Sequence, residues 1–293
     1  MRKAFTQSVS KELGENEWSA LFLGDIGVHA FRDSFEKFPR RVFNIGILEQ
    51  SMVSLAAGFA LEGFIPTIHT IAPFVVERAY EQIKIDFGYQ RLRGNLVTVG
   101  SSVDYASLGC THHCPGDVAI MLNIPEVQVL VPGHGGEFSS LYEQTSRNDS
   151  FTYSRLSELS NTTQQKVVFG QGLAIKKGAE ATILCFGPTL DMTIEACRDL
   201  DVNILYFTTV FPFDFEIIKA ACTNGKLLLV EPFYQHSLTH LILDKLGTTR
   251  TQIFSVGVPR TFLRNYGSVS EHYKEFGLTS AKIRTTAQEL IDA

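Results

Sequence analysis

The stretch FNIGILEQSMVSLAAGFALEGFIPTIHTI, residues 43–71, has a helical segment between two short apolar runs. The runs at 41–46 and 64–71 have the length and composition of buried strands. Between them, EQSMVSLAAGFALEG has the length and composition of a buried helix. A strand, a helix and a second strand in this order predict two parallel strands of one sheet, with the helix packed on the sheet.

The same alternation continues along almost the whole chain. Further strands are predicted at SALFLG, NLVTVG, VQVLVP, ATILCFG, VNILYF, KLLLVE and TQIFSVG, and FVVERAYEQIKIDFGYQ is predicted to form one long helix. The polar stretch RLSELSNTTQQKVVFGQG interrupts the pattern, and 293 residues are enough for two domains. We predict an α/β protein of two tandem units, residues 1–157 and 173–293 with a linker at 158–172, whose mostly parallel sheets are covered by helices.

The composition argues against several classes of function. The chain is 44% hydrophobic and 19% charged, and its net charge of −5 gives no electrostatic reason to bind nucleic acid or an anionic membrane. No apolar run reaches the roughly 20 residues that span a bilayer, and the first residues lack the apolar core of a signal peptide. Five scattered cysteines suit reduced thiols. We therefore expect a soluble, cytoplasmic protein.

The stretch LGCTHHCPGD, residues 108–117, holds two cysteines and two histidines within five positions. A structural zinc site normally takes ligands from two separated pairs, and no second pair follows. Pro115 argues against a continuous helix from Cys110 to Cys114, and C-x-x-x-C is not a recognised dithiol spacing. We expect a loop between a strand end and a helix start, where ligands bind in open α/β sheets.

Glu49 follows a predicted strand and opens the next helix. An acid in the first helical turn complements the helix dipole, and this explanation is sufficient for most such residues. A second explanation is that residues 45–48, Ile-Gly-Ile-Leu, remove water from the carboxyl group. A desolvated carboxylic acid is able to hold or donate a proton near neutral pH. Both explanations stay open on these residues alone.

Longer segments are similar to one known family. Residues 43–84 resemble the pyrimidine-binding domain of transketolases, and YASLGCTHHCPGDVAIMLNIPEVQVLVP, 105–132, resembles the segment around the G-P-T-H-H/Q motif of that family. Residues 202–232 and 257–283 resemble the transketolase C-terminal domain. The chain is most similar to the separate C-terminal subunits of split transketolases. The resemblance therefore implies a thiamine-diphosphate-binding pyrimidine domain followed by a transketolase C-terminal domain.

The resemblance also implies roles for three residues around the cofactor. Glu49 matches the glutamate that hydrogen-bonds N1′ of the aminopyrimidine, which favours the imino form whose N4′ removes the proton from thiazolium C2. Phe74 and Tyr80 match positions where the family has aromatic side chains around the aminopyrimidine. Aromatic side chains of a helix also serve simply as core, so that alternative stays open for both.

Further residues are implied for the substrate. His112 matches the histidine that contacts the donor carbonyl or the developing enamine oxygen, a role that suits imidazole. His113 is expected behind it, and His69 is expected at a strand end facing the same region. Arg155 matches an arginine that binds the substrate phosphate, with a surface ion pair as the alternative. Cys110 stands where the family usually has proline.

The diphosphate site of the family is missing from this sequence. It consists of a G-D-G motif followed by N-N, which together hold Mg²⁺ and the diphosphate; GDIG at 24–27 is not that motif. The resemblance therefore implies a partner, an N-terminal subunit that carries both motifs. It also implies a heterotetramer, because two pyrimidine domains of this family pair across a dyad.

Other departures concern the substrate and leave the reaction open. Leu108, Gly116 and Gly100 stand where ordinary transketolases have two acids and a phosphate-binding histidine. The leading hypothesis is transfer of a two-carbon ketol unit from a ketose or ketose phosphate to an aldose. The alternatives are the beta subunit of a 2-oxo acid dehydrogenase, a deoxyxylulose-phosphate-synthase-like carboligase, and a half subunit that only scaffolds or regulates its partner.

Overall fold

The computed structural model describes residues 1–247 and 250–293, and the strands in these ranges form two sheets. The first part of the chain contains strands β1 (Ser19–Leu23), β2 (Val42–Asn44), β3 (Ile65–Ile71), β4 (Gly94–Val99), β5 (Gln128–Leu130) and β6 (Phe151–Arg155). Its helices are α1 (Arg2–Glu15), α2 (Arg32–Lys37), α3 (Glu49–Leu61), α4 (Tyr80–Gln82), α5 (Asp117–Leu122) and α6 (Gly135–Thr145).

The second part repeats the pattern. Its strands are β7 (Leu173–Lys176), β8 (Ala181–Phe186), β9 (Val202–Phe207), β10 (Thr209–Phe211), β11 (Lys226–Tyr234) and β12 (Gln252–Val258). Its helices are α7 (Leu190–Ala196), α8 (Phe215–Ala221), α9 (Thr239–Leu246), α10 (Val269–Phe276) and α11 (Ser280–Asp292). The second sheet has the order β12-β11-β8-β9-β7, in which only the β7–β9 pair is antiparallel.

Both faces of the first sheet are buried, which explains the continuous apolar runs. Phe22, Ile68 and Leu96 point into a core shared with α3 and α5. Leu21 and Val97 point to the opposite face, where α1 and α6 cover them. Parallel strands need helical crossovers, and the crossovers supply this cover. The prediction of tandem α/β units with mostly parallel sheets is confirmed.

Strand β10 belongs to the second part of the chain but completes the first sheet. It pairs antiparallel with β5, so the order of the first sheet is β10-β5-β6-β4-β3-β1-β2. The predicted linker, 158–172, is packed in place: the Asn161 side chain is buried and donates to the carbonyl oxygen of Gly187 at 3.0 Å. The boundaries 1–157 and 173–293 remain predictions. Strand β10 lies after the second boundary in the sequence but belongs to the sheet of the first unit.

The segment predicted as one long helix at 74–90 is divided. Pro73–Glu77 and Ile83–Tyr89 are π-helical, and α4 lies between them. π-Helical turns often mark functional sites because they change the direction of side chains. Among the described helices, none combines the length and the apolar character that a bilayer crossing requires.

Candidate active site

Glu49 is the first residue of α3, and its carboxyl group is buried. Its relative exposure is 1%, whereas the preceding Ile47 and Leu48 are exposed at 66% and 57%. Ile47 and Leu48 therefore do not shield the Glu49 carboxyl group from water, contrary to the expectation for residues 45–48. The side chain of Arg78, which pairs with the carboxylate, covers it instead.

Only one oxygen of the Glu49 carboxylate has a partner. Arg78 Nη1 donates to Oε2 at 3.0 Å, and Oε1 is buried without a hydrogen bond in the described structure. A buried acceptor without a donor costs about 1–3 kcal/mol, so its presence needs an explanation. Oε1 is free to accept a hydrogen bond from a protonated ring nitrogen, and the residues here therefore fit an aminopyrimidine.

Arg78 connects Glu49 to two further predicted residues. Its guanidinium lies over the Phe74 ring at 4.6 Å from the ring centroid, and the Phe74 ring meets the His112 imidazole edge to face at 5.1 Å. Glu49, Phe74 and His112 thus belong to one group of side chains. Arg78 was not predicted from the sequence. Its position four residues after Phe74, on one face of a helical segment, is the signal that could have identified it.

His112 ends a short 3₁₀ turn, Cys110–His112, in the loop after β4. Gly109 enters this turn at φ +77°, a conformation that favours glycine. The imidazole is partly exposed, and its Nδ1 lies 3.0 Å from Thr111 Oγ1. The other ring nitrogen therefore remains available to a ligand.

The remaining Cys and His residues of this loop have separate partners. His113 is buried 5.3 Å from the His272 ring, and burial, with His272 and His112 nearby, lowers its pKa to about 4. The Cys114 thiol is buried and donates to Glu77 Oε1 at 3.6 Å, whereas Cys110 is exposed. In the part of the chain that the structure describes, no three His, Cys, Asp or Glu side chains form a metal-binding group.

His69 lies on the α1 face of the first sheet, in the core that Leu21 and Val97 share with α1. Its Nδ1 lies 2.7 Å from the carbonyl oxygen of Val97, and its ring is 4.2 Å from the Phe5 ring. Burial lowers the pKa of His69 to about 4, so the imidazole is neutral at pH 7. Its place beside Gly27 is at the carboxyl edge of the sheet, and substrate contact by His69 stays a prediction.

Arg155 does not lie in this group. It is 1% exposed, its Nε donates to Asp117 Oδ2 at 2.7 Å, and its Nη2 donates to the carbonyl oxygen of Pro232 at 2.9 Å. The guanidinium thus joins α5 of the first domain to β11 of the second. Arg155 is therefore not in a surface ion pair, and contact with a substrate phosphate stays a prediction for it.

Tyr80 is partly buried at the start of α4 and packs against the core shared with α3. No contact brings its ring to Phe74, Arg78 or His112 among the described residues. A role beside the cofactor stays a prediction for Tyr80, with core packing as its observed environment.

Comparison with known proteins places this geometry in a family. Residues 1–161 match the family model described as transketolase, pyrimidine binding domain. The chain is 34% identical, over 99% of its length and 95% of the relative, to the uncharacterized 33.6 kDa protein in the fasciation locus of Rhodococcoides fascians. It is 28% identical, over 66% of its length, to one subunit of the apulose-4-phosphate transketolase of Actinobacillus succinogenes, and the match spans 65% of that subunit.

A solved structure shows the same fold. It is described as a split gene transketolase, inactive beta4 tetramer, and superposes with a TM-score of 0.86 at 22% identity, covering 99% of this chain and 97% of the other. The match extends over both domains, and the resemblance predicted from the sequence is confirmed. With the family model covering more than half of its residues, the chain belongs to the transketolase pyrimidine-binding-domain family.

Proposed function

We propose that this chain is the C-terminal subunit of a split, thiamine-diphosphate-dependent transketolase that transfers a two-carbon ketol unit from a ketose to an aldose. One observation carries the proposal: the buried Glu49 carboxylate has a free oxygen in a group that also contains Phe74 and His112. A carboxylate that only complements a helix dipole has no need for burial or for an unpaired oxygen.

Glu49 and Arg78 bind the ring end of the cofactor in this proposal. Glu49 Oε1 accepts a hydrogen bond from the ring nitrogen and holds or returns its proton, while Arg78 fixes the carboxylate through Oε2. Phe74 and Tyr80 supply apolar surface beside the ring. When bound, thiamine diphosphate would supply a nucleophilic carbon that adds to the donor carbonyl and a cationic ring that takes up the electrons of the broken carbon–carbon bond.

His112 acts on the substrate. Its imidazole stands at the exposed end of the group, held by Phe74 on one side and by Thr111 at Nδ1. From there it donates a hydrogen bond to the substrate oxygen that gains negative charge, as a preorganised donor does in acyl and aldol chemistry. His113, buried behind it, fixes the loop.

The diphosphate and Mg²⁺ are bound mainly by a partner subunit in this proposal. The partner is an N-terminal subunit with G-D-G and N-N motifs, which this sequence does not contain. The active site then lies between the two subunits. A cytoplasmic location, as predicted from the sequence, is part of the same proposal.

The outer face of α3 and the turn before it are suited to pairing with a second copy. Ile47, Leu48, Leu55 and Leu61 are exposed apolar side chains on this surface, and Gly58 has open space around it. Exposed apolar patches of this kind mark protein interfaces. We place the dyad between two pyrimidine domains here, which gives a heterotetramer with two copies of each subunit.

The proposal is tested by co-purifying the chain with a candidate N-terminal subunit that carries the G-D-G and N-N motifs. The complex, with thiamine diphosphate and Mg²⁺, is assayed with ketose donors and aldose acceptors, and separately with pyruvate. Transfer of a two-carbon unit between sugars supports the proposal. Release of carbon dioxide from pyruvate alone would replace it by the oxo acid dehydrogenase or carboligase alternative, and a complex with neither activity would favour the scaffolding alternative.

A further inference from the structure

Helix α10 of the second domain packs against the loop at 100–116, which joins β4 to α5. The helix is well defined at both ends. Ser268 and Glu271 form reciprocal hydrogen bonds at its first turn, and Gly277 ends it at φ +83°. Its residue His272 is completely buried. A helix that is capped at both ends can give a neighbouring loop a rigid support.

His272 lies against His113, the residue that follows His112 in the loop. The two imidazole rings meet edge to face, with 5.3 Å between their centroids and 82° between their planes. This arrangement is one that aromatic pairs prefer, and both rings are buried. The pair therefore links the second domain to the loop right beside its predicted substrate histidine.

The two rings interact through their shape rather than through hydrogen bonds. Nδ1 and Nε2 of His272 and Nε2 of His113 are buried without a hydrogen-bond partner among the described residues. The Glu275 carboxylate lies 4.0 Å from His272 Nδ1 and accepts a hydrogen bond from Asn265. A ring without nitrogens is therefore expected to serve equally well at position 272, because it leaves no buried polar atom unpaired there.

The position of His113 determines the geometry of the turn that ends at His112. The backbone amide of His113 donates to the carbonyl oxygen of Cys110 at 3.2 Å, and this hydrogen bond closes the turn. The next amide, that of Cys114, donates to the carbonyl oxygen of Ser102 at 2.8 Å. A shift of the His113 ring would strain both hydrogen bonds and move the His112 imidazole.

Two further contacts from the second domain hold the same loop. The Tyr266 ring packs so closely on Gly109 that a Cβ atom built on Gly109 would lie 2.7 Å from Tyr266 Cε1. The backbone amide of Tyr234 donates to the carbonyl oxygen of Pro115 at 2.9 Å. The second domain therefore holds the loop both before and after His112.

We infer that His272 is a positioning residue, which holds His113 by the edge-to-face contact and thereby keeps His112 in place for the substrate. The inference rests on the proposed function for the role of His112. It gives the second domain a part in the reaction, although the group around Glu49 comes from the first domain. The effect is expected on kcat more than on substrate binding, because a displaced donor is lost mainly in the transition state.

The first experiment follows the loop in the full chain alone, and so is independent of catalysis. Hydrogen exchange at pH 7 is measured for the amides of His112, His113 and Cys114, each hydrogen-bonded within the loop. His272→Ala is expected to raise their exchange rates about tenfold or more, because the ring that supports His113 is lost. His272→Phe keeps the ring and is expected to leave the rates unchanged.

Leu290→Ala is the matched control for the loss of a buried side chain in the second domain. Leu290 belongs to α11, which packs on α7, β8, β11 and β12, and the variant is expected to spare the three loop amides. Equal rates in His272→Ala and the wild type would overturn the inference. So would an equal rise in Leu290→Ala, or a His272→Phe protein that exchanges as fast as His272→Ala.

The second experiment measures ketol transfer by the assembled enzyme. His272→Ala is expected to lower kcat about tenfold with KM for the donor almost unchanged, and His272→Phe is expected to restore kcat. A loss of kcat that Leu290→Ala reproduces, or that His272→Phe does not restore, would make His272 an ordinary core residue. If ketol transfer is absent, the proposed function fails, and the exchange rates alone decide whether His272 positions the loop.

Discussion

Two arginine–carboxylate pairs in this chain have the same chemistry and opposite surroundings. Arg155 and Asp117 are both buried, and each oxygen of Asp117 has a donor, from Tyr153 and Arg155 at Oδ2 and from the Val118 amide at Oδ1. The Glu49 carboxylate is equally buried, but its partner Arg78 is partly exposed and Oε1 has no donor among the described residues.

The difference in hydrogen bonding between the two carboxylates suggests different roles for the two pairs. In a closed pair such as Arg155–Asp117, every carboxylate oxygen has a donor, and these hydrogen bonds stabilise the folded chain. In an open pair such as Arg78–Glu49, one carboxylate oxygen lacks a donor, and a bound ligand can supply one. On this basis we propose a structural role for Arg155 and a functional role for Arg78 with Glu49, and the substrate contact that the resemblance implies for Arg155 stays a prediction.

The largest effect is expected from Glu49 in the open pair. Glu49→Gln is expected to lower kcat of the assembled enzyme by at least about a hundredfold, because the amide cannot exchange a proton with the cofactor ring. The free energy of unfolding is expected to change little. Ketol transfer and urea unfolding are measured on the same preparations, with Glu62→Gln at the exposed end of α3 as the control. Substantial activity in Glu49→Gln would remove Glu49 from the chemistry.

The closed pair is tested by Arg155→Leu. We expect a loss of about 3–5 kcal/mol in the free energy of unfolding, because Asp117 would remain buried without its cation. Urea unfolding measures this loss. Arg284→Leu, which breaks the exposed pair with Asp199, is expected to lower the free energy of unfolding far less.

A second variant keeps the closed-pair prediction falsifiable. Adding Asp117→Asn to Arg155→Leu is expected to recover part of the lost stability, since no buried charge remains unpaired. A stable Arg155→Leu protein that loses only its affinity for phosphorylated sugars would return Arg155 to the substrate site.

The buried histidine of the first sheet predicts a pH dependence. The folded pKa of His69 is about 4, against about 6.5 in an unfolded chain, so the unfolded state binds more protons between these values. The contribution of His69 to stability is therefore complete above about pH 6.5 and is lost as the pH is lowered toward 4, and it falls by about 2 kcal/mol between pH 7 and pH 5.

Urea unfolding at the two pH values measures this difference. His69→Gln is expected to reduce it, whereas the exposed His240→Gln variant is expected to leave it unchanged. An identical difference in the wild type and in His69→Gln would show that other groups cause it.

The smallest effect is expected from Phe74, whose ring lies between Arg78 and His112. Phe74→Leu removes the aromatic contacts with Arg78 and His112, which are each worth about 1 kcal/mol. We expect the cofactor to bind about fivefold more weakly, measured by titration of the assembled enzyme. Tyr89→Leu, at the exposed end of the same segment, serves as the control, and an effect of Tyr80→Leu equal to that of Phe74→Leu would bring Tyr80 to the cofactor.

The architecture could be predicted from the sequence because strands that are buried on both faces of a sheet consist of continuous apolar residues. β3 is buried at every position, so its whole run is apolar or small apart from His69, and the helices between strands keep their periodicity. β10 was missed since a three-residue strand carries almost no pattern. The π-helical turns at Pro73–Glu77 and Ile83–Tyr89 were missed for a similar reason, because their residues also fit an α-helix.

The candidate site was predictable where one residue matched one motif. Glu49, Phe74 and His112 were identified this way, and the structure brings them together through Arg78. The burial of Arg155 could not be predicted, because a sequence gives the identity of a side chain but not its exposure. Asp117, its partner, lies 38 residues earlier, and no local pattern joins the two.

The pairing of β10 with β5 has a practical consequence for expressing fragments of the chain. A fragment ending at residue 172 would keep β5 but lose the strand that pairs with it, so the backbone amides and carbonyls along that edge would be bare. Bare edges recruit strands from other molecules, and such a fragment would be prone to aggregate. Expression of the pyrimidine domain by itself therefore calls for a fragment that extends beyond Phe211, or for a short peptide supplied in trans to close the gap.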